Sequence, residues 1–540
     1  MFSNIFSLFE NSSLKAPLSA CLCVPPMKGR AYYPDGFEID YKTAYSTVKA
    51  LQETYSKCGY GNNHRVAVLL ENRPEFHLHW LALNGLGISI VPINPDYRED
   101  EIIYLLNHSE SSLLITIPER FSDLVDIKNK CEFEFPVVDV ANFHETLRAP
   151  KTKTTKVQEE LDSEAALLYT SGTTGKPKGC ILTNRYFLNA AKWYLEAGGC
   201  MTIEYGQERL LNPLPMYHAN AMAIGSMAMF ASAGCIAMLD RFHPKTWWED
   251  VVNSQATIIH YLGIMPPLLL NQKQGPFENS HKVKFGAGAG IDPKHHEIFE
   301  KRFGFPLIEG WGMTEVAMPT WASHEPRLID TRAFGRALSG CEVRIVDDQD
   351  KELASGAPGE LTIRMTGENP RQGLFSGYLK DDDATSHAWR GGWFHTGDTV
   401  VQSADGMLTF VDRSKNIIRR SGENIAAAEI EAFLQSDDAI AQAAVISVPD
   451  DLRQEEVMAC IILMEGITGD IGIAMDIQDR CLNEMAYFKA PAYFIFVDNL
   501  PVTNTQKVTK VKIFPKNVDP RKVDGCIDLR SRKRKIKTKP

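Results

Sequence analysis

Apolar runs alternate with helix-like patterns through the first four hundred residues, and this rhythm restricts the chain to sheets covered on both faces by helices. The strand-like Arg65–Leu70, the helix-like Pro74–Leu86 and the strand-like Ile88–Pro92 show it in miniature. No repeat of fixed period is present. After Asp412 the elements shorten: helix-like Ala426–Leu434 is followed closely by strand-like Ala443–Val448 and Val457–Met464. The expected fold class is therefore α/β, a large multi-subdomain N-terminal portion of layered sheets and helices over residues 1–412. A small α+β domain over residues 413–525 follows it, and then a basic, disordered tail over 526–540.

Ala219–Leu239 tests this reading, because 21 residues without a formal charge are long enough to span a bilayer. Asn220, Ser226 and Ser232 interrupt the stretch, and Ser232-Ala233-Gly234 reads as a turn before a strand, so a buried helix–turn–strand is expected and no transmembrane segment.

The net charge of −10 is unevenly placed. Arg530–Pro540 carries seven Lys/Arg and no acid; removing those seven leaves −17 on residues 1–529. A body that acidic excludes broad nucleic-acid binding, and the tail reads as solvated, with weak contact to an anionic surface as the alternative. The eleven cysteines include no C-x-x-C pair, which suits reduced thiols and a cytoplasmic location. The N-terminus lacks a basic region before its apolar residues and does not read as a signal peptide. Cys21-x-Cys23 and His295-His296 lack further ligands at suitable spacing and read as surface or loop residues rather than metal ligands.

The strongest chemical signal is Tyr169-Thr-Ser-Gly-Thr-Thr-Gly-Lys-Pro-Lys-Gly179, between a strand pattern (Ala165–Tyr169) and a helix pattern from Asn184. Its glycines free backbone N–H groups for phosphate oxygens; Ser171, Thr173 and Thr174 add hydroxyl donors, and Lys176 and Lys178 add charge. It is not a Walker A loop, since Thr170 and Pro177 stand where Gly and Ser/Thr would be required. Phe285-Gly-Ala-Gly-Ala-Gly290 fails the dinucleotide-binding pattern at Ile291 and could equally be a packing segment.

The Tyr169–Gly179 segment resembles the signature loop of the adenylate-forming superfamily, which includes acyl-CoA synthetases, peptide-synthetase adenylation domains and beetle luciferases. Further motifs follow in the family's order. The resemblance implies that Thr170, Ser171, Gly172, Thr173, Thr174, Gly175 and Lys178 bind ATP phosphates, and that Gly288, Ala289 and Gly290 lie beside adenine. In Glu309-Gly-Trp-Gly-Met-Thr-Glu315, Trp311 takes the place of the family's usual Tyr and would stack on adenine. Thr314 would contact the α-phosphate, and Glu315 would bind Mg2+. Asp398, closing Gly391-Gly-Trp-Phe-His-Thr-Gly-Asp398, and Arg413 would hold ribose. Lys415 matches the hinge, and Gly422, in Ser421-Gly-Glu-Asn424, the coenzyme A tunnel.

Leu500-Pro-Val-Thr-Asn-Thr-Gln-Lys507 resembles the final motif but has Gln506 where Gly is common. Lys507 is the expected adenylation lysine, with Lys510 and Lys512 as nearby alternatives. His218 matches the floor of the carboxylate site, although a core histidine is an equal reading. No Asp lies between 212 and 239 to meet an ammonium, and Tyr261–Met265 with Ala317–Pro319 suggest an apolar acyl pocket of modest size. The implied activity is an ATP- and Mg2+-dependent acyl-CoA ligase, most similar to crotonobetaine/carnitine–CoA ligase-like proteins. It would join a small or medium carboxylic acid to AMP and then transfer the acyl group to coenzyme A, with the nucleotide between the two domains. Alternatives are a ligase that loads a carrier protein and a catalytically silent nucleotide-binding protein.

Overall fold

The computed structural model describes residues 2–154, 161–170, 176–413, 417–501, 508, 510–515 and 517–533, apart from the side chains of 412, 413, 428 and 511. The chain forms two compact units. The larger comprises Met1–Pro95, Leu105–Leu168 and Gly179–Asp412; the smaller comprises Asp96–Tyr104, Tyr169–Lys178 and Arg413–Pro540.

Two sheets build the larger unit. In the seven-stranded one, strands Arg65–Leu69, Ser89–Pro92 and Leu113–Thr116 pair in parallel around the helix Pro74–Asn84. That helix is buried on nearly every side, as a helix between a sheet and a second helical layer must be. The thirteen-stranded sheet has a parallel half, running from Ala20–Val24 through Cys235–Met238, Arg209–Asn212, Ile258–Leu262 and Phe285–Ala289 to Leu307–Met313. From there Ala317–Trp321 turns back antiparallel and the sheet continues through Ala333–Ala337 and Leu408–Arg413. A glycine lets strands of the parallel half close up: a Cβ on Gly288 would lie 2.2 Å from the Tyr261 carbonyl oxygen.

The uncharged stretch Ala219–Leu239 folds as the sequence suggests. A π-helix Asn220–Ser226 runs into the helix Met227–Ser232, Ala233 turns with φ 51°, and the strand Cys235–Met238 follows. Among the described residues no helix is long and apolar enough to cross a membrane. Two readings need correction. Cys21 and Cys23 are not loop residues: both are buried in the strand Ala20–Val24. His296 is not on the surface either; it lies in the helix Pro293–Phe303, with Nε2 2.9 Å from the Leu307 carbonyl.

The smaller unit is a six-stranded sheet. The strand Gln454–Leu463 pairs antiparallel with Ile440–Asp450 and parallel with Tyr493–Phe496, and the helices Ala427–Gln435 and Ile471–Glu484 carry the apolar residues that cover it. Asp96–Tyr104 joins this unit through a buried ion cluster: Lys489 Nζ lies 2.5 Å from Glu101 and 2.6 Å from Glu429. The basic C-terminus is ordered further than its composition suggests. Ile527–Asp528 pairs with Tyr493–Phe494 and Leu529 is buried. Arg530 pairs with Asp528, and Arg532 with Asp479. The disordered tail expected over 526–540 thus gives way to packed structure through Lys533, because each of these cations meets an acid; 534–540 lie outside the described residues.

Candidate active site

One strand and the turn after it organise the larger unit's candidate residues. Side chains two apart on a strand share a face, so Glu309 and Trp311 on Leu307–Met313 point the same way. Glu309 is buried and reaches the neighbouring strand's end. Its Oε2 accepts from Gly290 N at 2.8 Å, its Oε1 from Ile291 N at 3.3 Å, and the Tyr261 hydroxyl donates to Oε1. Burial raises the Glu309 carboxyl, although these donors favour its charged form. The Gly288–Gly290 segment is therefore held by a carboxylate that sequence reasoning passed over, although Glu309 opens a quoted motif.

Trp311 donates its indole N–H to Asp398 Oδ2 at 2.9 Å. The two residues are 87 positions apart, and Asp398, in the strand Phe394–Gln402, is fully buried. The Trp311 ring is packed 6.1 Å from Phe334. A tyrosine has no donor at the indole N–H position, so this tryptophan fixes the carboxylate as well as offering a ring.

The register slips between Trp311 and Met313, and the chain turns through Thr314, Glu315 and Val316 into the next strand. Thr314 is half-buried and Glu315 buried. Tyr378, absent from the sequence-level site, donates its hydroxyl to Glu315 Oε1 at 2.8 Å. Burial and the neighbouring carboxylate raise the Tyr378 phenol, which keeps it a donor.

The part of the strand before Asp398 has its own anchor. Glu360 Oε1 accepts from Gly397 N at 2.8 Å, and its Oε2 lies 2.9 Å from His395 Nδ1. Asp350, Glu360 and His395 are close enough to hold a cation. Arg390 supplies one: its guanidinium is 3.3 Å from Asp350 and 3.1 Å from Glu360.

His218 is half-buried, with its ring 4.6 Å from that of Tyr217. Asn220, two residues on, meets another histidine: His260 Nδ1 is 2.8 Å from Asn220 Oδ1, and His260 Nε2 is 3.1 Å from the Tyr194 hydroxyl. Burial lowers His260 to about 3, so the ring is neutral. The amide oxygen only accepts, so Nδ1 carries the proton and Tyr194 donates to Nε2.

Thr170 closes the strand Glu164–Thr170 and Lys178 opens the strand Lys178–Thr183. Ser171, Gly172, Thr173, Thr174 and Gly175 lie outside the described residues, as do Lys415 and Lys507, and Arg413 ends the strand Leu408–Arg413. Of the alternative lysines, Lys510 is tied to Glu431 at 2.7 Å and Lys512 is exposed. Gly422, with φ 93°, makes the turn between the strands Ile417–Arg420 and Glu423–Ala426, a conformation that strongly favours glycine.

Comparison with known proteins gives one consistent picture. The profile of the AMP-binding enzymes matches residues 25–379, and that of the AMP-binding enzyme C-terminal domain matches residues 429–507. The chain is 29% identical to the sulfoacetate–CoA ligase of Cupriavidus necator over 495 residues, covering 90% of this chain and 94% of that one. It is also 29% identical to the crotonobetaine/carnitine–CoA ligase of Proteus mirabilis, covering 88% and 92%. Among solved structures, o-succinylbenzoate CoA synthetase from Bacillus subtilis superposes with a TM-score of 0.80 at 22% identity, covering 95% of this chain and 98% of that one. The amide bond synthetase McbA from Marinactinospora thermotolerans gives 0.78 at 23% identity, covering 94% and 98%.

Proposed function

The chain belongs to the AMP-binding enzymes, and on that premise we propose that it is an ATP-dependent acid–thiol ligase working through an acyl-adenylate. In the first half-reaction a carboxylate oxygen attacks the α-phosphorus of ATP, and the bond to the bridging oxygen breaks to release pyrophosphate. In the second, the sulfur of coenzyme A attacks the acyl carbonyl; its proton is lost, and AMP leaves. The observation that carries this reading is the pairing of Trp311 with Asp398 and of Tyr378 with Glu315. Both pairs centre on one strand and its turn, and each holds a carboxylate that the family resemblance assigns a role, Asp398 toward ribose and Glu315 toward Mg2+.

The roles follow from chemistry. Asp398, with one oxygen held by Trp311, would accept from ribose, assisted by Arg413. The backbone of Gly288, Ala289 and Gly290, shaped by Glu309, would border adenine. Thr170, Ser171–Gly175 and Lys178 would hold the phosphates, with Thr314 at the α-phosphate. Glu315 fits Mg2+, because that cation is commonly held by one or two carboxylates together with substrate phosphates. The ion would neutralise phosphate charge there. Lys507 would bridge the acid and the α-phosphate, His218 would border the acid, Lys415 would serve as hinge, and Gly422 would border the pantetheine arm.

For the acid, the neutral Tyr194–His260–Asn220 chain departs from a wholly apolar pocket. It orients the Asn220 NH2 as a donor, which suits an acyl tail bearing an acceptor group better than a quaternary ammonium. ATP–pyrophosphate exchange over a panel that includes sulfoacetate and crotonobetaine, followed by thioester detection with coenzyme A, tests both levels. Exchange with no acid would leave only a nucleotide-binding protein. Thioester formation with crotonobetaine but not with sulfoacetate would overturn the donor argument.

A further inference from the structure

A buried three-residue ion cluster in the smaller unit has no part in the chemistry above. Lys533 Nζ is 2.5 Å from Glu456 Oε1, and Arg420 Nε is 2.7 Å from Glu456 Oε2. The lysine and glutamate side chains are each 1% exposed and that of Arg420 is 4% exposed. A lysine so fully enclosed is rare without a specific partner, and this one comes from a segment whose composition reads as a solvated tail.

The three residues link distant parts of the unit. Arg420 ends the strand Ile417–Arg420, immediately before Ser421 (φ 50°) and Gly422 (φ 93°). Glu456 lies on the central strand Gln454–Leu463. Lys533 is brought in by the C-terminal strap, which is itself pinned: Leu529 N donates to the Ala492 carbonyl at 2.8 Å, and Gln478 Nε2 donates to the Leu529 carbonyl at 3.2 Å. The turn's own backbone is fastened beside it, with Ser421 N donating to the Arg453 carbonyl at 3.1 Å and Arg419 N to Glu455 Oε2 at 2.5 Å.

With Lys533 in place, Glu456 gives one oxygen to each cation, and Arg420 meets it through Nε, its guanidinium 5.7 Å from the centre of the Tyr487 ring. Without Lys533, Oε1 keeps only the Val457 N–H at 3.0 Å. The guanidinium can then turn to take both oxygens, since bidentate pairing is the geometry it favours. That movement acts on the residue adjoining the Ser421–Gly422 turn.

We infer that Lys533 is a positioning residue: through Glu456 and Arg420, the C-terminal strap sets the Ser421–Gly422 turn in the shape that coenzyme A attack requires. This rests on the reading that Ser421–Asn424 serves the second half-reaction.

The test uses purified full-length variants and measures the half-reactions separately. Lys533→Met should keep pyrophosphate exchange within about twofold while slowing conversion of supplied acyl-adenylate and coenzyme A to thioester by about tenfold or more, the size of effect that a small misplacement produces. Lys533→Arg, which restores a donor to Glu456, should recover most of that loss. Arg532→Gln removes a neighbouring cation outside the cluster and should change neither step. Unaltered thioester formation in Lys533→Met overturns the inference. An equal fall in both steps together with a lowered Tm also overturns it, because the residue then only stabilises the fold. Gly422→Leu separates the premise: if it forms thioester normally, the reading of the turn is wrong whatever Lys533 does.

Discussion

Tyr378→Phe isolates one hydrogen bond with little else disturbed. The ring stays in its packing, 4.9 Å from Phe375, so no cavity opens. What is lost is the hydroxyl that donates to Glu315 Oε1 at 2.8 Å, beside a carboxylate only 5% exposed. A hydrogen bond to a charged group contributes about 1.5–3 kcal/mol. For a carboxylate that binds a metal, losing such an outer partner costs about 10–100-fold in metal affinity. Pyrophosphate exchange titrated with Mg2+ at fixed ATP should therefore show the midpoint displaced upward by about that factor, with the rate largely restored at high Mg2+. Glu315→Gln removes the charge itself and should lose about 10²–10³ in rate without recovery. Far-ultraviolet circular dichroism and thermal unfolding would establish that both variants are folded. If each is folded and titrates with Mg2+ like the wild type, Glu315 does not meet the ion and its pairing with Tyr378 serves packing alone.

Other consequences follow from single contacts. Trp311→Phe keeps a ring against Phe334 but takes the N–H from buried Asp398; ATP Kd by calorimetry should rise about tenfold or more, and an unchanged Kd would separate Asp398 from ribose binding. Burial alone would raise the Glu300 carboxyl, but hydrogen bonds from Arg327, His296 and Leu307 N outweigh it and hold it at about 2. Its contribution, at most about 3 kcal/mol, is present above its ordinary range near pH 4.5 and is lost as pH falls through about 2, so the denaturant-measured stability gap to Glu300→Gln should narrow from pH 7 to pH 3. A gap independent of pH would refute that account. Lys507→Ala should slow pyrophosphate exchange about a hundredfold, whereas Lys510→Ala should lose only its pair with Glu431; the reverse result would move the adenylation role to Lys510.

Much of this architecture is carried by local pattern. Strand Arg65–Leu69 and helix Pro74–Asn84 fall within two residues of the runs that suggested them, because period and punctuation are properties of adjacent residues. The family's motifs are readable for the same reason: each is a short string whose glycines and polar side chains stand together. What the strings could not disclose is which residue each carboxylate meets. Trp311 and Asp398 were both singled out, yet nothing in their spacing states that one donates to the other. Tyr378 and Glu360 stand outside the diagnostic residues of any quoted motif, and only strand register brings them to Glu315 and Gly397.

The C-terminus shows the complementary failure, in which composition misled. Seven cations in eleven residues read as a solvated run, yet the three that are described, Arg530, Arg532 and Lys533, each meet a carboxylate. Asp528 is near in sequence, but Asp479 and Glu456 are 53 and 77 positions from the cations they meet. Burying a lysine costs several kcal/mol unless a charge compensates it, and burial together with nearby Arg420 lowers Lys533 to about 7. A carboxylate already shared with Arg420 can still hold it, because Glu456 remains ionised: its two cations outweigh the effect of burial. The strap's order therefore depends on an acid placed by the central strand, and net charge counted along the chain contains no information about that placement.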